Sequence, residues 1–144
     1  MNLKRFISSV LVLLALVGVF MIPTGASSYD TAKSLYDGIA SYKMTSCGVS
    51  DEQSWISTRL ASEAGVSSEW YILTLSQMGN YDFSAYKSAL LSYISANNVS
   101  SAVARQKYAL ALIASSSGDK FIYSTLNDSI GKMGIMSWIY GLHL

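Results

Sequence analysis

The sequence predicts an all-α protein, and three observations carry that prediction. From Ala32 onward, apolar residues recur at spacings of three and four, the period of a helix with one buried face. Polar or glycine-containing breaks interrupt the pattern at Thr45-Ser46-Cys47-Gly48, Gly65, Gly79-Asn80, Asn97-Asn98, Ser115 to Asp119 and Gly131. Across the 144 residues there is no sustained alternation of apolar and polar residues and no Asn-Gly hairpin signal.

The first segment addresses the chain rather than folding with it. Lys4 and Arg5 precede an uncharged run, Phe6 to Ile22, and Pro23 then leads into the small-residue stretch Thr24-Gly25-Ala26. A basic start, an apolar core and a small-residue exit are the three parts of a secretory signal peptide, here residues 1–26 with cleavage after Ala26. The alternative is retention as an N-terminal anchor. A 17-residue helix over Phe6–Ile22 is about 25 Å long against a bilayer core of about 30 Å. Under that alternative, residues 6–22 are the only membrane contact. Residues 27–144 form the expected folded part, and without Lys4 and Arg5 it carries eight basic and nine acidic side chains.

The helices of that part follow in order. Asp30 or Thr31 caps a first helix reaching Met44, with Ala32, Leu35, Tyr36, Ile39 and Tyr42 on its apolar side. Ser50 or Asp51 caps a second, carrying Trp55, Ile56, Leu60 and Ala61, and Gly65 ends it. Ser67 or Ser68 caps a third with Glu69 in its first turn, where a carboxylate favours the helix dipole. Asp82 or Ser84 starts a fourth through Tyr86, Leu90, Leu91, Tyr93 and Ile94, and Ser100 or Ser101 starts a fifth through Ala114. Phe121, Leu126 and Ile130 mark a shorter sixth, and the last segment, Ile135 to Leu144, is almost wholly apolar. Tyr71–Leu75, Tyr108–Ile113 and Ile135–Leu144 are apolar on most faces, so all three are expected inside, covered by more amphipathic neighbours.

Composition excludes several functions. A near-zero net charge argues against nucleic-acid binding. Hydrophobic residues at 51% with charged residues at 13% argue against disorder. One cysteine forms no internal disulfide or thiolate cluster, and one histidine 96 residues away adds no zinc site, so no metal and no cofactor is expected. There is no glycine-rich phosphate loop and no zinc-protease motif. Cys47 beside Gly48 reads as an inert thiol, and His143 as a terminal polar group.

A faint internal repeat aligns Trp70-Tyr71-Ile72-Leu73-Thr74-Leu75 with Lys107-Tyr108-Ala109-Leu110-Ala111-Leu112 and, more loosely, with Trp138-Ile139-Tyr140-Gly141-Leu142. Together with Ser68 to Gly79, Tyr86 to Ile94, Arg105 to Ala114 and Ile130 to Leu142, these segments resemble the repeats of the squalene cyclase and protein prenyltransferase α/α toroid, in its secreted or surface bacterial form. The resemblance covers roughly residues 30–144. It implies two-helix hairpins whose inner helices ring a cavity, with about three hairpins here: a partial α/α toroid. The Asp-rich and Gln-Trp motifs of the cyclases are absent. An open arc leaves an inner face uncovered, so the last helix is expected to show a broad apolar surface.

Under this reading the inner-face aromatics Trp70, Tyr71, Tyr108, Trp138 and Tyr140 are the candidate ligand-binding residues, suited to an apolar ligand, a glycan or a surface protein. Ordinary core packing is their alternative role. Glu69 is expected to meet Arg105 and Lys107 across adjacent inner helices. The expected function is an exported, noncatalytic helical-repeat binding module. Two alternatives stand beside it: a structural or interaction segment of a larger surface protein, and a degenerate terpene-cyclase-like enzyme domain. Expected partners are further repeats of the same protein, a second copy or a cell-surface component, with no nucleic acid.

Overall fold

The computed structural model describes residues 26–144, with side chains from residue 29 onward, so the export signal or anchor expected within residues 1–26 lies outside the described residues apart from the backbone of Ala26. Among the described residues there are seven α-helices, one π-helical segment and no strand. No described helix is long and apolar enough to cross a membrane. The chain divides into two compact units, Met1–Tyr42 and Lys43–Leu144.

The described part of the first unit belongs to α1 (Ala26–Cys47), which starts four residues before the expected cap and ends three residues after Met44. Lys33 and Asp37, one turn apart, pair at 2.8 Å on its exposed surface. Leu35, Ile39 and Tyr42 are also exposed. The later end has a local cause. Ser46 Oγ donates to the Lys43 carbonyl at 2.8 Å, so the polar residues of the expected break are accommodated within the last turn. Gly48, at φ 70°, then closes the helix. The Gly48 N–H reaches the Thr45 carbonyl and the Val49 N–H the Met44 carbonyl, the two bonds of a Schellman end.

The second unit holds the remaining helices. α2 (Glu52–Trp55) runs directly into a π turn, Ile56–Leu60. α3 (Glu69–Met78), α4 (Ser84–Ala96), α5 (Ala102–Ala114), α6 (Lys120–Ser129) and α7 (Gly134–Gly141) follow. Three starts are capped by side chains. Asp51 accepts from Ser54 N–H at 2.7 Å, Ser101 from Ala104 N–H at 3.4 Å, and Asp119 from Phe121 N–H at 2.8 Å. The Ser54 N–H and hydroxyl hold the Asp51 carboxyl below the usual carboxylate range.

The π turn departs from the regular helix that the apolar spacing predicts. Ser57 Oγ donates to the Gln53 carbonyl at 2.9 Å and Thr58 Oγ1 to the Ser54 carbonyl at 2.6 Å. Hydroxyls thus occupy carbonyls one turn back, the ladder is loosened there, and the wider turn still keeps Trp55, Ile56 and Leu60 on the buried side. Gln53 also ties α2 to the loop before α4: its side-chain amide donates to the Asp82 carbonyl and accepts from the Asp82 N–H, both at 2.9 Å.

α5 is the centre of this unit. It packs against α3, α4, α6 and α7, while the π turn packs against α3 and α4. Tyr108, Ala109, Ala111 and Leu112 of α5 share the core with Ile72 and Leu75 of α3, Tyr86 and Leu90 of α4, and Ile122 of α6. Two of the three segments expected inside therefore put one face in the core, while Thr74 and Ile113 are exposed.

For the third, Ile135–Leu144, the structure corrects the expected burial and agrees with the expected broad apolar surface on the last helix. Ser137 is the only buried residue of α7, and Ile135, Met136, Trp138, Ile139 and Leu142 are exposed. The reason is the face that docks. Buried Gln106 donates from Nε2 to the Ser137 carbonyl at 2.7 Å, and a Cβ added to Gly141 would lie 2.8 Å from Ile130 Cγ1. Only small residues fit against α5 and the end of α6, so the large ones point away.

The end of α5 carries a testable cost. The Ser116 N–H bonds the Ile113 carbonyl and the Ser117 N–H the Leu112 carbonyl, again a Schellman end, but exposed Ser116 takes the left-handed position at φ 56°. A side chain there is disfavoured by about 1–2 kcal/mol, partly offset by the greater unfolded-chain freedom of glycine. Ser116→Gly is expected to raise stability by about 0.5–1 kcal/mol, seen as a higher denaturation midpoint at unchanged slope.

Candidate functional site

The site begins with a buried carboxylate that positions α3 against α5. Glu69 is wholly buried, and its Oε1 accepts from the Gly65 N–H at 2.5 Å. Lys107 Nζ, from α5, lies 3.0 Å from Glu69 Oε2 and keeps 20% of its side chain exposed. Gly65 is held on three sides. Its carbonyl accepts from the Tyr108 hydroxyl at 2.6 Å. At φ 83° it occupies a conformation that side chains rarely adopt, and a Cβ there would overlap the Tyr93 ring. Tyr93 and Tyr108 meet edge to face, with centroids 5.8 Å apart. Burial, then the neighbouring Tyr93 and Glu69, push the Tyr108 phenol up to about 12. Burial and the Glu69 charge raise Tyr86 as well.

Glu69 and Lys107 meet as the sequence suggests, but Arg105 turns elsewhere. Its guanidinium donates to Ser124 Oγ at 3.1 Å, lies 3.8 Å from Asp128 and stands over the Phe121 ring at 5.1 Å. Positions two apart on a helix face different sides, so Arg105 and Lys107 cannot both reach α3.

The five candidate aromatics fall into three environments. Tyr108 is buried and spent on Gly65. Tyr71 is half-buried and packs in a tilted contact against buried Trp55, with centroids 5.2 Å apart at 57°. Trp70, from α3, is 48% exposed, and its ring meets Tyr140 of α7 at 5.9 Å and 52°. Trp138 is 57% exposed and lies across Gly131, where an added Cβ would stand 2.9 Å from the indole. The structure therefore brings Trp70 and Tyr140 into contact at the surface, places Trp138 on the same helix as Tyr140, and separates Tyr71 and Tyr108 from that surface.

The apolar residues around Trp138 complete a surface that aromatic content alone does not reveal. Ile135, Trp138, Ile139 and Leu142 stand at i, i+3, i+4 and i+7 and cover about 100° of the helix circumference. Ile135 is 73% and Leu142 85% exposed. Met133, also exposed, precedes the helix. The signal was present in the spacing, but it reads equally as a buried stripe. No group of three or more His, Cys, Asp or Glu that could hold a metal ion occurs among the described residues. His143 is exposed. What this surface can do chemically is bury apolar area against a partner.

Comparison with protein-family models, with curated proteins and with solved structures finds no match for this chain.

Two measurements test the buried network. Lys107→Met leaves the Glu69 charge unpaired and is expected to cost about 3 kcal/mol, while adding Glu69→Gln should recover more than half of it in chemical denaturation. The raised Tyr108 phenol means that the folded chain holds a proton which the unfolded chain releases above its ordinary value of 10. That stabilisation is complete below pH 10 and is lost as pH rises to about 12, so the melting temperature should fall across this interval, and by less in Tyr108→Phe.

Proposed function

We propose that this chain is an exported, noncatalytic helical-repeat module that assembles with a second copy of itself through α7. One observation carries the reading: α7 is docked by its small residues and turns its large apolar stripe outward. Met133, Ile135, Met136, Trp138, Ile139 and Leu142 together leave on the order of 600 Å² exposed, at the upper limit for a monomer surface and near the roughly 800 Å² per partner of a stable interface. A stripe at i, i+3, i+4 and i+7 is the pattern with which one helix packs along another.

The order of packing supports the repeat reading. α3, α5 and α7 carry the three similar segments, and α5 touches both α3 and α7. In a toroid-like arc each inner helix is covered by the next. The outward face of α7 is where a further inner helix would pack, and a second copy supplies one. Export rests on the sequence of residues 1–26, with its basic start, apolar run and small-residue exit. The aromatics Trp70, Trp138 and Tyr140 then serve as interface anchors, a role for which Trp and Tyr are well suited.

Sedimentation equilibrium of residues 27–144 over a range of concentrations tests this. A reversible dimer is expected, weakened at least tenfold by Ile135→Glu with Leu142→Glu, while helical circular dichroism stays unchanged. A monomer at all concentrations overturns the proposal. So does a monomer that sediments with phosphatidylcholine and phosphatidylglycerol vesicles, which assigns the stripe to a lipid surface instead.

A further inference from the structure

A second site, sharing no residue with the α7 surface, lies within the second unit where the last turn of α1, the π turn and α3 meet. It is a cleft of about 360 Å³, within the size range of small-molecule sites. Buried Trp55 and Leu60 form its base, half-buried Tyr71 one wall, and Lys43, Arg59 and Glu63 its charged lining. We infer that this cleft binds a small organic anion with a flat unsaturated body, the carboxylate meeting Lys43 and Arg59 and the flat body lying against the exposed part of Tyr71.

The charge balance selects the anion. Arg59 Nη2 pairs with Glu63 Oε1 at 2.7 Å, which neutralises one cation. Glu63 Oε2 accepts from Ser67 Oγ at 3.2 Å, so that carboxylate is held in place by two partners. Lys43 has no ion pair with a carboxylate among the described residues. Its ammonium stands 5.9 Å from the Tyr71 ring centroid, a contact that fixes the side chain without neutralising it. The lining therefore has one positive charge in excess. A guanidinium carries five N–H donors and an ammonium three, so most of the donors of Arg59 and Lys43 remain for a ligand. A cationic ligand would meet repulsion, and a neutral one would leave the charge uncompensated.

The construction of the cleft fits a binding role. The π turn widens the helix where Arg59 leaves it, and π turns recur at functional sites. The Tyr71 wall is preformed, because its ring packs on almost fully buried Trp55. Tyr71 is carried by α3, whose start is pinned by the Glu69 network. Preformed walls keep the ordering cost of binding low.

Titration of the folded protein with sodium benzoate, followed by the backbone amide ¹H–¹⁵N resonances of Trp55 and Tyr71 and the indole resonance of Trp55, tests the inference. Saturable shifts with a dissociation constant of roughly 1 mM are expected for a ligand of this size. Benzyl alcohol, of similar shape and no charge, should bind at least about tenfold more weakly, as should benzoate to Lys43→Met. Lys43→Arg should retain binding within about threefold, and Glu63→Gln, which frees Arg59, should tighten it. Equal binding of benzoate and benzyl alcohol overturns the proposal, as does unchanged affinity in Lys43→Met. Shifts that do not saturate, or that map to α7 rather than to the cleft, overturn it as well. Because α7 lies outside the cleft, Ile135→Glu with Leu142→Glu should leave benzoate binding intact whether or not the dimer forms.

Discussion

The second unit depends on the buried carboxylate of Glu69. A charge taken out of water is costly unless it is compensated, and here compensation comes from two directions. The Gly65 N–H binds one oxygen from the turn before α3, and Lys107 approaches the other from α5. Any shift of α3 along α5 would separate Lys107 from Glu69, so the pair sets the register of these two helices. The same turn also receives the Tyr108 hydroxyl, and Tyr93 covers the face of Gly65 where a side chain would otherwise project. Three helices are thereby fitted to one glycine, and the two exposed or half-exposed surfaces of interest are built on the frame they make.

α7 shows what a small docking face does. Gln106 is buried in α5 and reaches the Ser137 carbonyl, and Gly141 rests against Ile130. These contacts leave no room for Ile or Trp on the inner side, so the apolar stripe is directed outward as a geometric consequence. A stripe of this spacing that is not covered by the described residues has the form of one half of a helix–helix interface. α7 packs on α5, as α3 does, and its apolar stripe stays exposed among the described residues.

The cleft at the π turn has a local cause and a nonlocal result. Ser57 and Thr58 bond carbonyls one turn back, which loosens the helix ladder, and their effect depends on residues within four positions. The cleft itself needs Tyr71 from another helix and Lys43 from the end of α1. Charged and aromatic groups 28 residues apart in the chain become two sides of one space. The extra positive charge is visible only once Arg59 has been seen to spend itself on Glu63 while Lys43 has not.

The sequence by itself determined the helical class and the second to seventh helices to within a few residues, because spacing, caps and glycine turns act within about four positions of each residue. Asp51, Ser101 and Asp119 cap helices because a short polar side chain reaches N–H groups two or three positions on. It also led to the meeting of Glu69 and Lys107, which stand one position apart in the aligned segments of adjacent helices. It did not separate Arg105 from Lys107, foresee the π turn or say which residues of α7 would dock, although the open arc of the resemblance did lead to an exposed apolar surface on that helix. Those depend on which face of a helix is covered, and an apolar stripe looks the same whether its partner is the same chain or another. Only the tertiary structure decided that Tyr108 is spent on a backbone carbonyl, that Trp70 and Tyr140 meet at the surface, and that Ser137 rather than Trp138 turns inward. The physical reason is that burial is a property of neighbours brought together from distant parts of the chain, and helical period alone carries no record of which neighbours arrive.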